Sequence, residues 1–251
     1  MLPLPVEERA AGRRRLAIVP ALNEEQTVAR VVAEIRTVDP GFVVVVVDDG
    51  SSDNTGPVAE QAGALVLRLP FNLGIGGAVQ TGYRYAYANG FEIAVQVDGD
   101  GQHDPRELPR LLEPLLAGEA DVVIGSRFAG AGSYRAPLAR RLGIRLFAWL
   151  VSLVLRKRIT DSSSSFRALN RRALGVFATD YPHGYLETVE ATVLASKQGL
   201  RLSEVPVVMR QREEGRSALT VPLSLWYAAK VLVALFVSLF RRPVVRLEEE
   251  P

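Results

Sequence analysis

From Leu16 onward, short apolar runs alternate with longer segments whose apolar residues recur at helical spacing. The run RLAIVP reads as a buried strand. In ALNEEQTVARVVAEIR, residues Val28, Val31, Val32 and Ile35 fall on one helical face. Asn23 is the predicted N-cap there, with Gln26 three residues on. GFVVVVVDDG is an unbroken β-branched run, the pattern of a parallel strand covered on both faces. SSDNTGPVAEQAG predicts a turn and a short helix, and ALVLRLP a third strand. GIGGAVQTGYRYAYANG predicts a glycine-rich turn and a helix that Asn89-Gly90 stops. FEIAVQVD is a fourth strand, PRELPRLLEPLLAG a helix with proline near its start, and ADVVIGSR a fifth strand.

This alternation predicts an α/β fold: a Rossmann-like, mostly parallel sheet flanked by helices on both faces. Ligands bind such sheets at the carboxyl ends of the strands. Polar residues gather at that edge: Asn23 and Glu24, Asp48 and Asp49, Asp98 and Asp100, Ser126 and Arg127. Four clusters on one edge argue for a site. With no internal repeat and no clear linker, residues 16–220 read as one domain after a flexible tail over 1–15. Residues 221–251 read as an apolar, membrane-associating helix followed by a charged tail.

That last reading rests on VPLSLWYAAKVLVALFVSLFRR, which has about the length of a short membrane span. Lys230 interrupts it, which suits a helix lying in the interface better than one crossing it. A second apolar stretch at 142–155, LGIRLFAWLVSLVL, is too short to span and is read the same way. The plain alternative for both is packing on the domain or an oligomer contact. The N-terminal MLPLPVEERAAGRRR has no apolar core of a secretory signal.

Composition changes this picture little. The 251 residues are 48% hydrophobic and 23% charged, ordinary for a globular chain. A net charge of +2 makes no case for nucleic acid as a partner. The absence of cysteine excludes a disulfide framework and thiol catalysis. Lysine occurs only at 157, 197 and 230, so nearly every cation is an arginine, the residue suited to bidentate phosphate recognition. A GC-rich genome would produce the same bias.

The sharpest chemistry lies in VQVDGDGQHDP. Two carboxylates separated by Gly99 have three readings: a calcium loop, a catalytic metal site, or a polar turn. An EF-hand starting at Asp98 needs glycine at position six and glutamate at twelve, but these are His103 and Pro109, so it fails. A turn is compatible with Asp-Gly but leaves the position on the ligand edge unexplained. In extended chain, Asp98 and Asp100 point the same way. They then suit Mg²⁺ or Mn²⁺ held jointly with substrate phosphates, with the Gln102 amide oxygen as a further ligand. His103 reads better as a supporting or turn residue than as a ligand.

VPALNEEQTV, VVVVVDDGSSDNT, FNLGIGGAVQTGYRYA, VQVDGDGQHDP and DVVIGSRF occur in this order. Together they resemble family 2 glycosyltransferases of the GT-A fold, and most of all the dolichyl- and polyprenyl-phosphate sugar synthases. The resemblance runs from Leu16 to Ser217. It implies that Pro20, Ala21, Asn23 and Glu24 line the nucleotide pocket and that Asp49 contacts the base. It implies that Asp98 and Asp100 form the DxD-type motif, with Asp100 and Gln102 nearest the metal. Gly99 stands where the family usually has alanine, and the change should be tolerated because that residue supplies backbone.

Other segments carry less. The glycine loop before Gln80 either is a tight helix entry or touches the donor, with Gly76 and Gln80 the contacts on the second reading. A dinucleotide-binding reading of this loop is disfavoured, because it follows the third strand rather than the first. In ITDSSSSFRALNRRAL, residues Asp161, Ser164, Phe166 and Arg167 match the family's D-x-x-S-G-F-R pattern. Ser165 replaces its glycine, and would be strained if that position needs a positive φ. Arg212, Gly215 and Ser217 match R-x-x-G-x-S. Ser164, Arg167, Arg212 and Ser217 are thus candidates for the acceptor side. Arg127, Arg167 and Arg212 are the best candidates for holding acceptor phosphate and leaving group. Arg210 and Arg216 read as solvated charges. Glu187 and Glu190 sit on a predicted helix, either as general bases for a hydroxyl acceptor or as surface and salt-bridging residues.

The resemblance implies an inverting, metal-dependent transfer of one hexose. The donor is a nucleoside diphosphate sugar of the UDP-glucose or GDP-mannose class. The acceptor is a polyprenyl phosphate at the cytoplasmic face of the cell membrane. The Q-x-x-R-W pattern of processive synthases is absent, which fits single-sugar transfer. A homo-oligomer is compatible with all of this. The rivals are transfer to a soluble hydroxyl acceptor and a non-catalytic binding subunit that keeps the fold.

Overall fold

A computed structural model describes residues 14–130, 148–153, 155–183 and 187–210. Strands and helices alternate as β1 (Arg15–Ala21), α1 (Val28–Val38), β2 (Phe42–Asp48), α2 (Thr55–Gln61), β3 (Leu65–Arg68), α3 (Ile75–Ala88) and β4 (Ile93–Gln96). They continue as α4 (Leu108–Leu116), β5 (Val122–Ser126), β6 (Arg167–Asn170), α5 (Arg171–Thr179), α6 (Glu187–Lys197) and β7 (Leu202–Pro206). Residues 148–153 are also helical.

The seven strands form one sheet in the order β3-β2-β1-β4-β6-β5-β7. Only β6 runs against its neighbours: it pairs antiparallel with β4 and β5, whereas β1 with β2 and β4, β2 with β3, and β5 with β7 are parallel. The parallel registers bring the carboxyl ends level. Ala21 pairs with Asp48, and three residues past the end of β4 the Gly99 N–H still donates to the Pro20 carbonyl at 3.2 Å.

The unbroken apolar runs follow from burial on both faces. Leu16 and Ile18 of β1 and Val45 and Val47 of β2 pack with Val79, Tyr83, Leu174 and Phe177 of α3 and α5. Their neighbours Ala17, Val19, Val44 and Val46 pack on the other face against Val28, Val32 and Ile35 of α1 and Leu108 and Leu111 of α4. Each fully buried side chain of this size contributes about 1.5–3 kcal/mol, so this two-sided core fixes the sheet on which the polar edge stands.

Three expectations need correction. Helix α1 begins at Val28, and Asn23 does not cap it. Asn23 instead adopts a positive φ of 56°, and its Oδ1 accepts from the Ser52 N–H at 2.8 Å and the Ser52 hydroxyl at 3.1 Å. The fourth strand stops at Gln96, so Asp98 and Asp100 lie on a turn that Gly101 closes at φ 74°, not on extended chain. The strand β1 starts at Arg15, inside the segment expected to be tail. Residues 1–13, Arg212, Ser217, Arg216 and the apolar stretch at 222–240 lie outside the described residues, as does half of 142–155.

Candidate active site

The loops after β1 and β2 are laced together. The Asn23 N–H donates to Ser51 Oγ at 3.0 Å, the Glu24 N–H to Thr55 Oγ1 at 2.8 Å, and the Glu25 N–H to Asp53 Oδ2 at 3.2 Å. Thr27 Oγ1 joins this unit to the carboxylate loop, donating to the Gly99 carbonyl at 2.7 Å. A Cβ on Gly99 would sit 3.1 Å from Pro20 O and 3.2 Å from Ala21 Cβ. Pro20, Ala21, Asn23, Glu24 and Gly99 therefore form one continuous backbone surface.

Asp49 is buried beside it. Its Oδ1 accepts from the Leu73 N–H at 2.7 Å. Burial raises its pKa, and the Leu73 and Gly74 N–H groups oppose that rise. The loop that supplies those groups leaves Phe71, Leu73 and Ile75 exposed.

The Asp98 carboxylate is held from two sides. Gln96 Nε2 donates to Oδ1 at 3.1 Å, and the Ser165 hydroxyl to Oδ2 at 2.7 Å. The Asp98 N–H donates to His103 Nδ1 at 3.0 Å. His103 is buried and stacks on Phe166 at 4.5 Å, so it supports Asp98 as the sequence suggested. Asp100 accepts from the Gln102 N–H at 3.0 Å and from Gln102 Nε2 at 2.7 Å. The amide nitrogen of Gln102 thus faces Asp100, where its oxygen was expected beside a shared metal. Among the described residues no group of three or more His, Asp or Glu side chains could hold a metal ion by itself.

The chain after β7 straps this loop down. His103 and Met209 form an antiparallel bridge, and the Arg210 N–H donates to the Gln102 carbonyl at 2.8 Å. Arg210 is not the solvated charge expected. Its guanidinium spans Glu34 at 2.7 Å and Asp104 at 3.0 Å. Although burial works against ionisation, Arg106 and Arg210 hold the Asp104 carboxyl below the usual carboxylate range.

At the end of β5, Arg127 makes a fork on Asp161, from Nε to Oδ2 at 2.6 Å and from Nη2 to Oδ1 at 2.8 Å. Asp161 is wholly buried, and Glu204 of β7 holds its loop by accepting from the Thr160 and Asp161 N–H groups at 2.8 and 2.9 Å. Ser164 turns inward and donates to the Gly125 carbonyl at 2.6 Å. Ser165 is not among the described residues with a positive φ, so the serine in place of glycine is unstrained.

Arg167 points inward rather than to the surface. The strand β6 lies in mid-sheet and aims the side chain into the interior, where it is 0% exposed. It donates to the carbonyls of Ser164 at 2.8 Å, Ser162 at 3.2 Å and Thr188 at 2.7 Å, and to Thr192 Oγ1 at 3.0 Å. Glu187, for which both a general-base and a helix-surface role were open, is buried, and burial pushes its carboxyl up to about 7. Gly76 and Gln80 brace the chain after α5. A Cβ on Gly76 would meet Pro182 O at 2.5 Å, and Gln80 Oε1 is 2.7 Å from His183 Nε2.

A mostly parallel sheet with a carboxylate turn at its ligand edge is the architecture of a GT-A glycosyltransferase. The chain belongs to glycosyl transferase family 2, whose model matches residues 16–176. It is 33% identical to an undecaprenyl-phosphate mannosyltransferase of Micrococcus luteus over 219 residues, 82% of this chain and 88% of that one. It is 30% identical to a UDP-N-acetylglucosamine–dolichyl-phosphate N-acetylglucosaminyltransferase of Methanococcus voltae over 209 residues, 76% of this chain and 83% of that one. Among solved structures, glucosyl-3-phosphoglycerate synthase from Mycobacterium tuberculosis shares the fold. It superposes with a TM-score of 0.66 at 24% identity, covering 92% of this chain and 82% of that chain. The protein is a glycosyltransferase.

Proposed function

We propose that this enzyme transfers one hexose from a nucleoside diphosphate sugar to a polyprenyl phosphate at the membrane surface, with inversion and with Mg²⁺ or Mn²⁺. The observation that carries this is the convergence of the Asn23–Glu24 loop, Asp49 and the Asp98–Asp100 turn on one sheet edge. The relatives named for isoprenoid phosphates support the acceptor class, while their named sugars differ.

The residues fit a divalent cation. Asp98 and Asp100 offer hard oxygen donors on one turn, which Gly99 packs against Pro20 and Ala21 at the end of β1. Two carboxylates leave coordination positions for phosphate oxygens, which is how Mg²⁺ is commonly held. Asp98 and Asp100 would be its protein ligands, with Gln102 joining them by turning its amide. When bound, the cation would neutralise charge on the departing diphosphate.

The remaining roles belong to the chain itself. Asp49 hydrogen-bonds the base, and the backbone from Pro20 to Glu24 walls the nucleotide. Arg127, oriented by Asp161, supplies positive charge at the acceptor end of the sheet, and Arg212 adds to it. A phosphate acceptor arrives ionised, so no general base is required. Trp149 and Leu153, one helical turn apart and about 60% exposed, suit contact with a bilayer interface. No helix among the described residues is long and apolar enough to cross a membrane.

One observation favours a second reading. The buried Glu187 carboxyl, at about 7, has the affinity for protons that a general base for a hydroxyl acceptor needs. Radiolabelled UDP-glucose, GDP-mannose and UDP-N-acetylglucosamine, each offered with polyprenyl phosphate, separate the two. Label in the organic phase supports the lipid acceptor. Label confined to a water-soluble product overturns it in favour of the hydroxyl acceptor.

A further inference from the structure

We propose that Ser165 is a positioning residue for the Asp98 carboxylate, acting through a closed ring of hydrogen bonds with His103. The inference rests on the reading of Asp98 as a metal ligand.

The direction of each bond is fixed by chemistry. The Asp98 N–H can only donate, so His103 Nδ1, 3.0 Å away, accepts and carries no proton. The imidazole proton then sits on Nε2. That nitrogen lies 3.4 Å from Ser165 Oγ and donates to it. The serine hydroxyl proton is left for Asp98 Oδ2 at 2.7 Å. The ring closes on the residue where it began, with every donor facing an acceptor. Phe166 holds the imidazole plane at 13° to its own, and His103 is 2% exposed, so the imidazole is walled from water while Ser165 and Asp98 remain half-buried.

The hydroxyl is the member that touches the carboxylate. With Gln96 on Oδ1 and Ser165 on Oδ2, both oxygens are fixed before a metal arrives. Without the hydroxyl, His103 Nε2 stands 3.6 Å from Oδ2, too far for a hydrogen bond. The carboxylate then turns about its last bond, and metal binding has to reorder it. Partners of metal ligands contribute about 10–100-fold in metal affinity. The D-x-x-S-G-F-R pattern has no side chain at this position, so this control is a property of the present chain.

The test is a Mn²⁺ titration of the full chain by electron paramagnetic resonance, run with saturating UDP and again with GDP. Ser165→Gly removes only the hydroxymethyl group at an unstrained φ, and Ser165→Thr keeps the hydroxyl. The glycine variant should bind Mn²⁺ about tenfold more weakly and the threonine variant within about threefold of wild type. ¹⁵N imidazole spectra give a second readout, since the chain has two histidines and His183 serves as the reference. The His103 Nε2 resonance should move in Ser165→Gly while His183 stays. Unchanged affinity and an unmoved His103 in Ser165→Gly would overturn this proposal alone. A wild type that binds no Mn²⁺ with either nucleotide would overturn the metal reading and this proposal with it.

Discussion

Arg127 grips Asp161 with a two-pronged ion pair of 2.6 and 2.8 Å at the end of β5. The carboxylate is 0% exposed, so the pair joins the strand edge to a loop that is 34 positions further along the chain. Removing the cation leaves a buried charge without its main partner. Arg127→Ala should lose about 3–5 kcal/mol of stability in urea unfolding. Arg127→Ala combined with Asp161→Asn should recover part of that loss. Equal destabilisation in the single and double variants would contradict the pairing as the main role of Asp161.

Two glycines near the donor side should respond differently to alanine. At Gly76 the new Cβ would lie 2.5 Å from Pro182 O and 2.7 Å from His183 Cα, both backbone atoms that cannot swing away. Gly76→Ala should cost about 1–3 kcal/mol. At Gly99 the nearest atoms are 3.1 and 3.2 Å away, and φ is not positive, so small adjustments suffice. Gly99→Ala should cost under about 1 kcal/mol. Thermal melts of both variants check the order, and a larger loss at Gly99 would contradict the described packing.

Glu187 gives the chain a pH dependence of definite sign. Burial lifts its carboxyl from 4.5 to about 7 in the folded state. The folded chain therefore keeps a proton that the unfolded chain releases. The stability this gives is full below pH 4.5 and falls as pH rises to about 7. Glu187→Gln removes the ionisation and should stabilise the protein at pH 8 relative to pH 4 by on the order of 3 kcal/mol. Urea unfolding at the two pH values measures it. The same difference between variant and wild type at both would show that Glu187 does not titrate this way.

The sheet was legible because its strands are buried on two faces, which leaves unbroken apolar runs at β1, β2 and β4. The carboxylates were legible because Asp48, Asp49, Asp98 and Asp100 follow those runs directly. Strand β6 escaped, since RALN is four residues with arginine and asparagine at its ends and no period to detect. Asn23 looked like a cap because a polar residue precedes a helical pattern, but its Oδ1 answers to Ser52 across the sheet edge. Local pattern also could not show that Arg210 reaches Glu34, 176 positions away, or that Arg167 points inward. Those partners are set by strand order, which the sequence of elements leaves open. The one early hint for Ser165 was its departure from the glycine of the motif.

In the proposed reaction the Asp98–Asp100 turn holds a divalent cation against a donor's diphosphate during transfer to a lipid phosphate. The most direct measurement is the rate of organic-phase product from polyprenyl phosphate and a labelled nucleotide sugar, for wild type and Asp100→Ala, with Mn²⁺ supplied. Wild type should turn over steadily and Asp100→Ala should lose about 100-fold or more, the scale of removing a key electrostatic group at a reacting phosphate. Normal turnover in Asp100→Ala would contradict it.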